Sequence, residues 1–105
     1  MDLDRFEFVL LRRPKQIPDM PSDQVEELQT RHLVHLKAMK DSGQMLFAGP
    51  LDEQPDDSWR GLCVYHTGSL EATRRLAQSD PSVVAGRLEV DVMYFYCPKG
   101  QIPST

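Results

Sequence analysis

Apolar residues recur at two periods along this chain, and the switches between them predict its elements. From Arg5 to Arg12 the period is two, with Phe6, Phe8 and Leu10 on one side and Glu7, Val9 and Leu11 on the other. A strand with apolar residues on both faces follows. After Ser22 the period lengthens to that of a helix. Val25, Leu28, His32, His35, Leu36 and Met39 fall on one stripe, while Lys37 and Lys40 lie off it on the wet side. Ser22 is placed to cap this helix, and Asp23, Glu26 and Glu27 suit the positive end of its macrodipole. Gly43 is available for the left-handed turn that ends it near Ser42.

Gln44 to Gly49 reads as a short buried strand that Gly49-Pro50 closes. Trp59 to His66 is the next strand, with Leu62 and Val64 alternating against Gly61, Cys63 and Tyr65. Ser69 can cap a second helix whose stripe is Leu70, Thr73, Leu76 and Ala77. Asp80-Pro81 stops it, because proline pushes the residue before it out of the helical region. Leu88 to Cys97 forms the last strand, with Leu88, Val90, Val92 and Tyr94 on one face. Pro14, Pro18 and Pro21 make the first connection extended and stiff. That stretch is either a plain linker or a cover over a pocket mouth. Asp52 to Ser58 is an acidic, turn-forming hairpin loop.

The order strand, helix, strand, strand, helix, strand is the split βαβ arrangement. The expected fold is therefore α+β, a ferredoxin-like βαββαβ domain with a four-stranded antiparallel sheet. It occupies residues 1–98, and residues 99–105 form a polar tail. Both helices would cover one face of the sheet. The second face is apolar too, so a second copy of the chain is expected on it, giving a homodimer of the dimeric α/β-barrel type.

Composition narrows the partners. The chain has 105 residues, enough for one domain, and its net charge of −4 is wrong for nucleic acid, whose phosphates demand a basic face. The basic group Arg12, Arg13 and Lys15 reads as a solvated loop entrance rather than a phosphate site. No apolar run approaches the roughly 20 residues of a membrane span, and no signal peptide is legible at the start. A cytoplasmic location with no membrane partner is expected. Cys63 and Cys97 have no metal-binding or redox spacing, and Cys63 reads as a small buried hydrophobe.

The candidate chemistry rests on a few titratable groups near element ends. His32 lies at the centre of the helical stripe, and its imidazole titrates near neutral pH when unperturbed. A satisfied core histidine is the plain structural reading; a general acid or base is the functional one. Asp80 is either a simple turn former or a carboxylate that orients an imidazole through Nδ1. His32 and His35 are three apart, but spacing marks no third ligand, so no metal site is expected. No Gly-rich phosphate loop or hydrolase motif is present. Trp59 and the run Tyr94-Phe95-Tyr96 either line a pocket or pack a dimer core, and His66 at a strand end reads as a surface residue.

Three separated pieces, His32-Leu33 with Leu36, Ala48-Gly49-Pro50, and Asp80-Pro81 followed by Ala85-Gly86, stand in the order and spacing of a known pattern. On these, the chain resembles the YciI-like (YCII-related) proteins over roughly residues 5–95. The resemblance implies a His-Asp dyad on His32 and Asp80, with His35, Gly49, Pro50 and Ser82 as substrate-binding positions. One family branch is a dehydrochlorinase acting on a chlorinated hydroquinone. This chain departs from the family where a substrate would sit. Ser82 replaces an aromatic, His35 a frequent tyrosine, and Met93-Tyr94-Phe95 an Arg-Pro-Trp-like end. The dehydrochlorinase activity is therefore not carried over.

The leading expectation is a lyase- or isomerase-type enzyme for a small-molecule substrate. It would use the dyad for elimination, isomerisation or cyclisation on a cyclic or aromatic compound, without a cofactor. The alternatives are a cofactor-free monooxygenase or muconolactone-isomerase-like dimer, and a non-enzymatic ligand-binding accessory protein.

Overall fold

The computed structural model describes residues 2–103. Its elements are β1 (Leu3–Arg12), α1 (Ser22–Asp41), β2 (Met45–Pro50), β3 (Trp59–Tyr65), α2 (Leu70–Gln78), α3 (Pro81–Val84) and β4 (Glu89–Pro98). The sheet order is β2-β3-β1-β4, with every neighbouring pair antiparallel. That order and the two helical crossovers give the ferredoxin-like arrangement expected from the sequence. Among the described residues, no helix is long and apolar enough to cross a membrane.

Period-two alternation sorts the sheet into two faces. Val9 lies opposite Cys63 on β3 and Val92 on β4, so these side chains share the helix-covered face. Val9, Leu11, Met45, Cys63, Tyr65 and Ala77 form the main core, with Leu36 and Met39 of α1 and Leu76 of α2 against it. Fully burying a side chain such as Val9, Leu11 or Met45 contributes about 1.5–3 kcal/mol by leaving water. The opposite face carries a smaller cluster of Phe6, Val64 and Cys97. Both cysteines are free and buried on opposite faces of the sheet.

One helix start differs from the sequence expectation. Ser22 is already helical, and Pro21 occupies the N-cap position with no side-chain cap. The Pro21 carbonyl accepts from the Gln24 and Val25 amides, each at 3.0 Å, so the fixed φ of proline sets the entry that a serine hydroxyl was expected to set. Gly43, at φ 81, ends α1 as expected. Ser69 caps α2, its Oγ accepting from the Ala72 amide at 3.0 Å.

A second difference matters more for function. Asp80 does not merely end α2; it begins the short α3. Pro81 stands at the first helical position, where its missing amide costs nothing, and Asp80 Oδ1 accepts from the Ser82 amide at 2.9 Å. One Asp-Pro pair thus stops one helix and starts the next.

The tail is also better tied than a polar composition suggests. The Gly100 amide donates to Asp4 Oδ2 at 2.8 Å, and Ile102 packs against the Phe6 cluster. The last two residues of the expected tail lie outside the described residues.

Candidate functional site

α1 and α3 meet at His32. The helical stripe turns His32 inward, where it is buried with Leu28. Asp80, also buried, approaches from the start of α3, and its Oδ2 lies 2.5 Å from His32 Nδ1. Its other oxygen is held by the Ser82 amide, and its own carbonyl accepts from the Val83 and Val84 amides at 2.9 and 3.0 Å. The carboxylate is therefore fixed at one oxygen and at its backbone, and meets the imidazole with the other. His32 Nε2 has no hydrogen-bond partner among the described residues.

A cleft of about 390 Å³ opens beside this pair. His32, Leu33 and Leu36 of α1 line one side. Ala48, Gly49 and Pro50 at the end of β2 form another, with Gly61 and Leu62 of β3 beside them. Leu11, Leu88, Gln29, Arg13 and Arg60 complete the lining. The volume suits a single small ring, and the wall mixes apolar surface with four polar side chains, Arg13, Gln29, His32 and Arg60.

Gly61 permits the narrow contact between β2 and β3 at this point. A Cβ there would come within 2.9 Å of the Gly49 carbonyl oxygen, a backbone atom with little freedom to yield. A Cβ on Gly49 itself would meet nothing within 4 Å. The steric demand for glycine at the cleft thus falls on Gly61.

The structure separates the sequence candidates into two layers. His32, Gly49 and Pro50 line the cleft. Asp80, His35 and Ser82 are not part of its lining; they lie behind His32 or next to it. Burial holds the His35 imidazole below its ordinary range, with Asp80 pulling it up and His32 pushing it down. Its Nε2 is buried without a hydrogen-bond partner among the described residues. Cys63, on the sheet nearby, is an inert thiol, since burial chiefly and the Asp80 charge next push it up to about 12. No cluster of three or more His, Cys, Asp or Glu side chains converges among the described residues.

Sequence reasoning missed Gln29, Arg60 and Gly61, and gave Arg13 to solvent. Gln29 precedes His32 by three and so shares its side of the helix, which was a usable signal. Arg60 and Gly61 follow from strand register, which a single sequence leaves open. The three-proline segment does not line the cleft; Arg87 Nη1 donates to the Pro18 carbonyl at 2.8 Å, and Pro18 packs on Gly86.

Known proteins bear on this geometry in two ways. The solved structure of 5-chloro-2-hydroxyhydroquinone dehydrochlorinase from Burkholderia phenoliruptrix AC1100, in complex with 2,5-dihydroxybenzoquinone, is similar in fold. It matches with a TM-score of 0.54 at 21% identity, over 83% of this chain and 90% of that one. No curated protein matches the sequence. The family model for the YCII-related domain matches residues 7–96, which takes in the second half of β1, both long helices, His32, Asp80 and nearly all of β4; this chain belongs to the YCII-related family.

Proposed function

We propose that the cleft is the active site of a small-molecule enzyme in which His32 and Asp80 act as a His-Asp dyad. His32 is the general base and then the general acid. The reaction class is elimination, isomerisation or cyclisation of a cyclic or aromatic substrate.

The observation that carries this reading is the 2.5 Å contact between His32 Nδ1 and Asp80 Oδ2, made at the wall of a cleft that Asp80 does not line. An ionised carboxylate only accepts, so Nδ1 donates to it and Nε2 keeps its lone pair. That nitrogen takes a proton from a substrate carbon or hydroxyl held in the cleft. The buried carboxylate stabilises the imidazolium as it forms, and the proton returns to a leaving group or to a second position on the ring. Gly49 and Pro50 shape the wall against which the ring lies. Ser82 acts from behind by holding Asp80, and His35, kept neutral by burial, adds no competing cation beside the dyad.

The working form is a homodimer closed by the uncovered sheet face. Met93 and Phe95 on that face are 42% and 41% exposed, and Phe8 and Leu62 beside them are half-buried.

The test is a panel of halogenated hydroquinones and cyclic lactones. Halide release, isomer formation and oxygen uptake are followed with the purified protein. Halide release or isomerisation without oxygen uptake is expected. Oxygen consumption with a quinol would assign a monooxygenase instead, and binding without turnover would make this a binding protein.

A further inference from the structure

We infer that the cleft selects an anionic ring compound, and that Arg13 and Arg60 hold its carboxylate. This rests on the cleft being the substrate site and adds the substrate's charge. The chain as a whole is acidic, at −4, yet the cleft inverts that sign. Its lining includes two arginines and no aspartate or glutamate.

Three cations elsewhere are tied to carboxylates. Arg12 is paired with Glu89 and Asp91, Lys37 with Asp41, and Arg75 with Glu71. Arg13 and Arg60 have no carboxylate partner among the described residues. The Arg60 guanidinium makes one long contact, 3.4 Å to the Asp57 carbonyl, and the Arg13 guanidinium makes none. Both are exposed, so neither is sealed from a ligand.

Their positions fit a division of labour along the cleft. Arg13 follows β1 and Arg60 lies in β3, while His32 comes from α1 on another wall. Leu33, Leu36 and Leu88 give apolar surface in the same cleft. A ring between those leucines would present one edge to His32 and a carboxylate to the guanidiniums. Their planar donor forks match a carboxylate in a way that a lysine would not. Two unpaired cations at a cleft without carboxylates also raise the local concentration of anions.

The experiment compares two probes of the same shape by calorimetric titration at pH 7.5: 2,5-dihydroxybenzoate and its neutral amide, 2,5-dihydroxybenzamide. The carboxylate is expected to bind about tenfold tighter than the amide, with the gap shrinking as salt rises. Arg13→Gln and Arg60→Gln should each weaken carboxylate binding several-fold and leave amide binding unchanged. The amide also reports that each variant is folded. Equal affinity for the two probes, no binding of either, or equal losses of both in the variants would overturn the assignment. NMR signals of the His32 ring, recorded in the same titration, separate this claim from the catalytic one. Charge-selective binding that leaves those signals unmoved would keep the anion site and remove His32 from it.

Discussion

Asp80 divides its two carboxylate oxygens between His32 Nδ1, at 2.5 Å, and the Ser82 amide, at 2.9 Å. The same side chain therefore starts a helix and orients an imidazole. Asp80→Asn separates the two tasks. The amide oxygen can still accept from Ser82, but its NH2 group then donates to Nδ1 and forces the ring's proton onto Nε2. Activity should fall by about 10³–10⁴-fold, as for a triad whose acid is made an amide, while thermal stability changes little. Asp80→Ala also loses the cap and should cost about 1 kcal/mol more in urea denaturation.

Gly61→Ala tests the close approach of β2 and β3. The added Cβ stands 2.9 Å from a backbone carbonyl, so the strands must part at the edge of the cleft. A loss of about 1–3 kcal/mol is expected by chemical denaturation. Gly49→Ala, with open space around its Cβ, should cost far less.

His35 makes stability depend on pH. Its folded-state pKa lies below the ordinary value of 6.5, so the unfolded chain binds the proton more readily. Its contribution is complete above about pH 6.5 and declines as pH falls through that value towards the folded pKa. His35→Leu removes a buried nitrogen that has no partner. The variant should match or exceed the parent at pH 8 and lose less stability between pH 7 and pH 5.5, measured by urea midpoints.

Glu7 anchors the turn that leads into α2. Its Oε1 accepts from the Thr67 amide at 2.6 Å, and from the Thr67 and Thr73 hydroxyls at 2.9 Å each. Glu7→Val strands these donors and should cost about 2–4 kcal/mol, whereas Glu7→Gln, which keeps an acceptor, should cost less. Thermal unfolding of the two variants distinguishes them.

Much of this was legible from residue order because the periods are clean. The stripe through Leu28, His32, Leu36 and Met39 is set by helical geometry alone, and the alternation of Phe6 to Leu11 by the pleat of a strand. Asp80 meeting His32 across 48 positions was not visible in either period; only the family resemblance linked them. Its role as a helix cap escaped notice because Asp-Pro reads equally well as a stop. Glu7 gives no outward sign of being buried, since its partners Thr67 and Thr73 arrive from another element. Arg13 looked like a solvent residue because the sequence shows charge but not which wall a loop entrance borders. Register decides that, and register is a property of the whole sheet.

The central claim is that His32 exchanges protons with the substrate. Its most direct test is kcat/KM of His32→Ala against the parent, on whichever cyclic substrate the panel identifies. Circular dichroism and gel filtration would confirm that the variant keeps its fold and assembly. A loss of at least about a hundredfold, the lower range for a removed general acid-base, is predicted with both unchanged. Turnover within threefold of the parent in a folded variant would contradict it.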